Sequence, residues 1–262
     1  MKKKIIALFL AATVATTSLC MTACGNDTAN DPPLKSDKVA NEEEWETAFF
    51  GLGMSTDKLD ITNGTLSVEF SGVDFKYKNS VMIFDDNKIK RARTYNQTGK
   101  TETEYIECRD DEIYESDQNV YEDARGTVYR YYLDEQTKKW KVEKSAIDRK
   151  YSFRKEVYDE LYVTGKIDSK DHGSDICPWD LYSYFKYDES AYQYVLTYDK
   201  IKELTGENHL GISSMTVKIK NGKLAEFTSS GTYKDLNRAT GSAKITITDI
   251  GNSKVDLPKI SA

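Results

Sequence analysis

The chain has 262 residues, of which 31% are charged and 39% hydrophobic, a balance that suits a soluble globular domain with a substantial core. Its formal net charge of −6 opposes binding to nucleic acid or to anionic lipid headgroups through a diffuse electrostatic field. Eighteen tyrosines and three tryptophans favour β-sheet, because aromatic side chains pack well on pleated, half-buried surfaces.

The N-terminus carries the pattern of a secretory signal peptide. Lys2, Lys3 and Lys4 form a basic start, the segment from Ile5 to Leu19 has no charge, and small residues follow. The apolar run is too short to span a bilayer as a mature helix. The pattern therefore predicts that residues 1–23 are removed, which leaves 34 basic and 43 acidic residues and a net charge of −9.

The end of this segment, Met21-Thr22-Ala23-Cys24-Gly25, resembles the lipobox of bacterial lipoproteins, with Met21 where leucine is commonest. The resemblance implies cleavage before Cys24 and a diacylglyceryl group on its sulfur. Cys20 competes for this role, but the bulky Leu19 precedes it. Two acyl chains anchor a protein stably where one does so only marginally. We expect a protein anchored by lipid to the cell membrane on its extracytoplasmic face; the alternative is an ordinary signal peptide with a chance cysteine.

A polar segment follows the cysteine, contains Pro32-Pro33 and shows no periodicity, which predicts a flexible lipidated tether over 24–41. The remaining chain, 42–262, is expected to form one extracytoplasmic domain. It opens with a helix over 42–52, because apolar residues recur there with helical spacing. These residues are Trp45, Ala48, Phe49 and Leu52.

Alternating apolar and polar residues predict short strands in the first half of the domain. The strands are expected at about 66–70, 73–77, 81–84, 88–95, 101–108, 112–115, 129–133 and 140–142. Polar turns separate them at 85–87, 97–100, 109–111 and 135–137. Strands joined by so few residues indicate an antiparallel meander, since parallel strands need long crossovers.

Helical spacing returns in the middle of the chain, where Phe153, Val157 and Leu161 predict a helix over 152–164. A short helix is expected over 178–185, because Pro178 suits a first helical position. Outside these two segments and 42–52, no helix is expected.

Strands are predicted again in the last third of the chain. Tyr192, Tyr194, Leu196 and Tyr198 alternate with polar residues, as do residues 215–219, 223–228 and 243–247. Asn221-Gly222 predicts a two-residue hairpin between two of these strands.

This order of elements, together with the lipobox, resembles the LolA/LppX-like superfamily of lipoprotein carriers and lipid-binding lipoproteins. The hairpin at 220–224, Asp249-Ile250-Gly251 and Leu257-Pro258 are similar to the C-terminal end of many small Gram-positive lipoproteins of that type. The likeness extends over 42–258. It implies an α+β fold, mainly antiparallel β, in which a curved sheet forms a half-barrel with an N-terminal helix and a mid-chain helical lid. In that superfamily the apolar hollow between sheet and lid holds acyl chains.

The resemblance implies a non-catalytic binding module for a lipid or another amphiphile, acting as a monomer. Five residues are expected to line the inner face of the sheet: Leu66, Val68, Phe70, Tyr129 and Tyr131. Tyrosines and charged residues on the expected concave strands fit a filled interior equally well. In that case the protein is a surface scaffold or interaction lipoprotein that contacts another protein or a cell-wall glycan.

No nucleotide-binding, hydrolase or zinc-binding motif is present, so we expect no enzyme, no catalytic residue, no metal and no cofactor. One cluster could hold a metal: Asp168, Asp171, His172, Asp175 and Cys177. Its spacing does not match a calcium loop, which favours a solvated loop; His209 is interpreted as a turn residue. Cys108 and Cys177 either form a disulfide or remain buried free thiols.

The lipobox leads to a direct prediction. Cys24→Ser should abolish retention of the protein in the membrane fraction, because the acylated sulfur is the expected anchor. Mass spectrometry of the membrane-extracted wild type should identify a diacylated Cys24 at the N-terminus. Cys20→Ser is the matched control and should leave retention unchanged; a membrane-bound Cys24→Ser protein would contradict the prediction.

Overall fold

The structure, a computed structural model, describes residues 37–50, 63–114, 123–146, 153–168, 175–206 and 211–260. Residues 1–23 and Cys24 lie outside this part of the chain, so their predicted roles remain predictions. The described residues belong to one compact unit.

Antiparallel strands dominate the structure. The first run comprises β1 (Asn63–Ser71), β2 (Tyr77–Asp85), β3 (Lys88–Tyr95), β4 (Thr101–Tyr114), β5 (Asp123–Leu133) and β6 (Trp140–Ala146). A two-residue ladder pairs β7 (Ile167–Asp168) with β8 (Asp175–Ile176). The second run comprises β9 (Lys186–Asp188), β10 (Gln193–Leu196), β11 (Ile212–Lys220), β12 (Lys223–Tyr233) and β13 (Ala239–Thr248).

The two runs form a single eleven-stranded sheet in the order β6-β5-β4-β3-β2-β1-β13-β12-β11-β10-β9. The first strand of one run pairs with the last strand of the other, from Thr65 opposite Thr248 to Ser71 opposite Ser242. The sheet is curved and does not close. This architecture confirms the predicted α+β fold with a curved, mainly antiparallel sheet.

Within the described residues, three α-helices accompany the sheet: α1 (Glu42–Phe50), α2 (Phe153–Gly165) and α3 (Tyr198–Thr205). The helices predicted near 42–52 and 152–164 are confirmed. Asn41 Oδ1 accepts the Glu44 N–H at 2.9 Å, which satisfies one of the free N–H groups at the start of α1. The apolar stripes of α1 and α2 are buried in the core: Trp45, Ala48, Phe49, Phe153, Val157 and Leu161.

The hairpin between β11 and β12 forms as the sequence predicts. Asn221 and Gly222 have φ values of +52° and +71°, the left-handed conformations of a type I′ turn. Asparagine and glycine adopt these conformations at little cost, so this turn is determined locally.

Three predictions about individual segments were wrong. The strand predicted through Tyr198 ends at Leu196, and α3 follows because Ile201 and Leu204 have helical spacing and pack on the core. The turn predicted at 109–111 is a register shift inside the long strand β4, which resumes its pairing with β5 at Glu112. The strand predicted over 73–77 is instead a turn and bend that leads into β2 at Tyr77, and Val73 in the turn is 85% exposed.

The helix predicted over 178–185 consists of two 3-10 turns, Pro178–Asp180 and Tyr182–Tyr184. Leu181 separates them and is buried. The segment thus keeps the expected compact form without the hydrogen bonds of an α-helix.

The domain begins earlier than the sequence pattern indicates. Asp37 and Val39 are buried, and Asp37 Oδ1 accepts the N–H of Asn221 at 2.9 Å. The Val39 N–H donates to Tyr194 Oη at 2.7 Å, and this hydroxyl donates back to the Val39 carbonyl at 3.2 Å. Residues that the sequence assigned to the tether are therefore attached to the sheet.

Replacing Tyr194 with phenylalanine tests this attachment. Tyr194→Phe should lower the free energy of unfolding by about 1–2 kcal/mol, because the buried Val39 N–H loses its acceptor. Urea denaturation measures the change. Tyr198→Phe is the matched control, since Tyr198 is 43% exposed and its loss should change stability by less than about 0.5 kcal/mol. Equal effects of the two variants would contradict the assignment.

Candidate functional site

The strand register divides the sheet into two faces. Side chains directly opposite each other on paired antiparallel strands point to the same face. One row of such partners crosses β1 to β5: Leu66, Met82, Arg91, Glu104 and Tyr132. Phe84 lies on this face, and its ring meets that of Phe153 of α2 at 5.4 Å between centroids. We call this surface the helix face.

The opposite surface carries a different row of partners, and we call it the open face. The row runs across β1 to β6: Thr65, Ile83, Lys90, Tyr105, Tyr131 and Val142. Aromatic and basic residues are concentrated at its β3–β6 end.

The five residues predicted to line a lipid site do not come together. Leu66 and Val68 lie on the helix face and are fully buried, and Phe70 is half-buried beside them. Tyr129 and Tyr131 lie on the open face, because their register partners are Glu107 and Tyr105. The two groups are separated by the thickness of the sheet.

The helix face is filled by side chains under α2. A Cβ added to Gly64 would lie 2.6 Å from the Phe153 ring, which is closer than van der Waals contact allows. A cavity of about 20 Å³ beside Val163 and Tyr233 has room for one water molecule. A larger space of about 390 Å³ opens near Lys38 and Ile219, at the beginning of α1, and its lining includes several charged residues.

Charged groups occupy the helix face beside α2. Arg91 Nε donates to Glu104 Oε1 at 2.6 Å, and Arg91 Nη2 contacts the same oxygen. Glu160 of α2 is close enough to Arg91 and Arg93, and to the neighbouring Glu156, for their charges to interact. Glu156 is buried and Glu160 is half-buried, so this helix flank places two carboxylates in a restricted space.

Burial, and then the neighbouring Glu156 carboxylate, raise the pKa of Glu160 to about 7, against the opposing attraction of Arg93 and Arg91. Because this folded-state pKa lies above its ordinary value of 4.5, protonated Glu160 favours the folded state. That contribution is complete below about pH 4.5 and is lost as the pH rises through about 7. The α2 flank is therefore sensitive to pH.

The open face carries a cluster of aromatic rings and cations. Tyr105 and Trp140 meet edge to face at 5.3 Å between ring centroids, and Lys90 Nζ lies 5.9 Å from the centre of the Tyr105 ring. Beside them, Arg109 and Lys144 approach the Tyr129 ring at 4.5 and 5.8 Å. These six residues form what we call the open-face patch: Lys90, Tyr105, Arg109, Tyr129, Trp140 and Lys144.

A buried carboxylate, Glu107, forms hydrogen bonds with two side chains of the open face. Glu107 Oε2 accepts the Tyr131 hydroxyl at 3.0 Å and an Arg109 N–H at 2.7 Å. The bond from Arg109 lowers the pKa of Glu107 despite its burial, while burial and Glu107 raise the pKa of Tyr131. Tyr131 therefore keeps its proton at neutral pH and holds Glu107, which in turn orients Arg109 over Tyr129.

The patch is cationic. Glu107 neutralises Arg109, whereas Lys90 and Lys144 have no ion-pair partner among the residues that the structure describes. At the sheet edge, Leu133 and Val142 add exposed apolar surface, at 44% and 42% exposure.

The thiols and carboxylates that the sequence suggested as reactive or metal-binding groups are not part of the open-face patch. Cys108 and Cys177 are both buried free thiols, and burial raises the pKa of Cys177 to about 12, so that this thiol stays protonated. Asp175 accepts bonds from Tyr162 Oη at 2.5 Å and Lys166 Nζ at 3.1 Å. The other members of the proposed metal cluster either lie outside the described residues or have undescribed side chains: Asp168, Asp171 and His172. His209 also lies outside, and the described residues contain no cluster that could hold a metal ion.

The geometry thus defines an α+β protein with one open antiparallel sheet and an aromatic, cationic surface on the face away from α2. Comparison with protein-family models, with curated proteins and with solved structures found no match to this chain. In the part of the chain that the structure describes, no helix has both the length and the apolar character that a membrane crossing requires.

Charge removal at Glu160 tests the pH sensitivity of α2. Glu160→Gln should raise the melting temperature at pH 8 by about 2–4 °C and leave it unchanged at pH 5, because the wild-type carboxylate is ionised only at the higher pH. Asp159, Glu156, Arg91 and Arg93 remain in place in this variant. Glu46→Gln, at an exposed position of α1, is the control. A stabilisation that is equal at both pH values would contradict the assignment.

Proposed function

We propose that this protein is a membrane-anchored extracytoplasmic lipoprotein whose domain is a non-catalytic binding module, with the open-face patch as its contact surface. The observation that carries the proposal is a set of partly accessible aromatic rings on the face away from α2, where a hydrogen-bond network orients Arg109 against one of them. Tyr105, Tyr129 and Trp140 are each half-buried, so part of every ring remains accessible.

Rigid aromatic groups favour binding at such a surface. Tyrosine and tryptophan combine a large apolar area with a polar group, and few rotamers are lost when they bind. The Tyr131–Glu107–Arg109 network orients Arg109 against the Tyr129 ring, and the Tyr105 and Trp140 rings pack on each other, before any partner arrives. Preorganised aromatic residues are typical of the positions that contribute most to binding energy.

The expected anchor is compatible with this role. The chain from Cys24 to Asp37 could span at most about 45 Å if fully extended. A domain on such a tether can present its open face to partners some distance from the bilayer. The proposal therefore includes the lipidation of Cys24 and the location of the domain outside the cytoplasm.

An amphiphile between α2 and the sheet is the alternative that the superfamily resemblance suggests. Fully buried residues, among them Phe84, Phe153 and Phe227, occupy this space. An acyl chain would therefore have to displace part of the core or separate α2 from the sheet. The open face requires no such rearrangement, and for this reason it is the better supported site.

Truncation of the patch tests the proposal. Trp140→Ala in the non-acylated chain, residues 25–262, should reduce retention on cell envelopes of the source organism about tenfold, because a preorganised aromatic contact is lost. Sedimentation with isolated envelopes measures retention. Tyr192→Ala is the matched control, at an exposed aromatic residue outside the patch. Retention of both variants at the wild-type level, with both folded by circular dichroism, would contradict the proposal.

A further inference from the structure

The open-face patch has the opposite charge to the protein that carries it. The complete chain has a formal charge of −6, which becomes −9 after the expected cleavage. Lys90, Arg109 and Lys144 nevertheless lie together here, with Glu107 as the acidic counterpart in the described hydrogen bonds of the patch. A concentration of cations on an acidic protein favours an anionic ligand, since attraction is strongest where complementary charges approach.

The aromatic rings place a second requirement on the ligand, besides negative charge. The patch extends over four adjacent strands, β3 to β6, which is about 14 Å at the usual spacing between strands. Across this width, basic side chains lie beside aromatic rings, with Lys90 near Tyr105 and with Arg109 and Lys144 near Tyr129. A suitable ligand therefore presents both apolar faces and anionic groups, along an extended and accessible polymer.

Resting on the proposed function, we infer that the open-face patch binds an anionic glycan. Sugar rings have faces of C–H groups that pack on aromatic rings, and rims of hydroxyl groups that hydrogen-bond to tyrosine and lysine. Tyr105, Tyr129 and Trp140 supply the aromatic surfaces, while Lys90 and Lys144 pair with carboxylate or phosphate groups on the polymer. Arg109, held by Glu107, positions the Tyr129 ring.

An acidic protein surface is the other anionic partner that such a patch could meet. It would satisfy the two lysines but would offer no regular series of apolar faces for the three rings. The arrangement therefore favours the glycan, and the two classes of partner are separable by experiment.

The test uses the non-acylated chain, residues 25–262, and three soluble polymers measured by isothermal titration calorimetry. Polygalacturonate carries carboxylates on a sugar chain, dextran is a neutral glycan, and poly-glutamate is anionic without sugar rings. We expect polygalacturonate to bind at least about tenfold more tightly than either of the others. Its affinity should fall as salt rises from about 50 to 300 mM, since the Debye screening length shortens over this range from about 14 to about 6 Å.

Paired variants identify the groups responsible. Lys90→Gln/Lys144→Gln should weaken polygalacturonate binding about tenfold and remove most of its salt dependence. Lys223→Gln/Lys254→Gln removes the same number of exposed positive charges elsewhere and should leave binding unchanged. Trp140→Ala should weaken binding without removing the salt dependence.

Other results would overturn the inference. Equal binding of dextran would show that the anionic groups are not recognised, and equal binding of poly-glutamate would indicate an acidic protein partner. Failure of all three polymers to bind, while Trp140→Ala still lowers retention on envelopes, would reject the glycan and leave the proposed function standing. If none of the polymers binds and Trp140→Ala also leaves retention on envelopes unchanged, the open face is rejected as a binding surface.

Discussion

The pairing of β1 with β13 is the contact on which the rest of the structure depends. It joins residues near opposite ends of the domain, from Thr65 with Thr248 to Ser71 with Ser242, and unites two separate meanders into one sheet. Such a distant contact carries a large loop-closure cost, which burial must offset. Leu66 and Val68 are fully buried at this junction, and Phe153 of α2 packs directly against Gly64. The helix between the two meanders thus stabilises the strands that connect them.

This arrangement explains why the two ends of the sheet differ. The helix α2 contacts β1, β12 and β13, so the central strands have one face inside the core. Beyond them, β3 to β6 carry charged groups such as Arg91 and Arg93 on the helix face and the aromatic patch on the other. On the helix face these strands still bury Ile89, Ile106 and Val128, whereas their open face has no helix packed on it among the described residues. The side chains on the open face are therefore available for binding, and this is where the proposed site lies.

The candidate site shows which features can be predicted from sequence patterns and which cannot. Alternation along β5 correctly separates Tyr129 and Tyr131 from the neighbouring Val128 and Arg130. It cannot determine whether those tyrosines share a face with Leu66, because that depends on the register of every intervening strand pair, and a shift of one residue reverses the face. The meeting of Glu160 with Arg91 and Arg93 likewise depends on the placement of α2 over the sheet. The sequence showed tyrosines and charged residues on these strands, but it did not indicate that Lys90, Arg109 and Lys144 share one face with three aromatic rings.

The sequence by itself determined the features that depend on neighbours along the chain. These are the signal and lipobox pattern, the apolar stripes of α1 and α2, the Asn221-Gly222 hairpin and the antiparallel α+β class. The helix α3 was not predicted, although the spacing of Ile201 and Leu204 is helical, because the alternation was extended to Tyr198, where α3 begins. Only the tertiary structure decided the union of the two meanders, the filled space under α2 and the face on which each aromatic residue lies. The physical reason is that helix stripes and tight turns are set by interactions a few residues apart, whereas strand register and packing are set by contacts between distant residues.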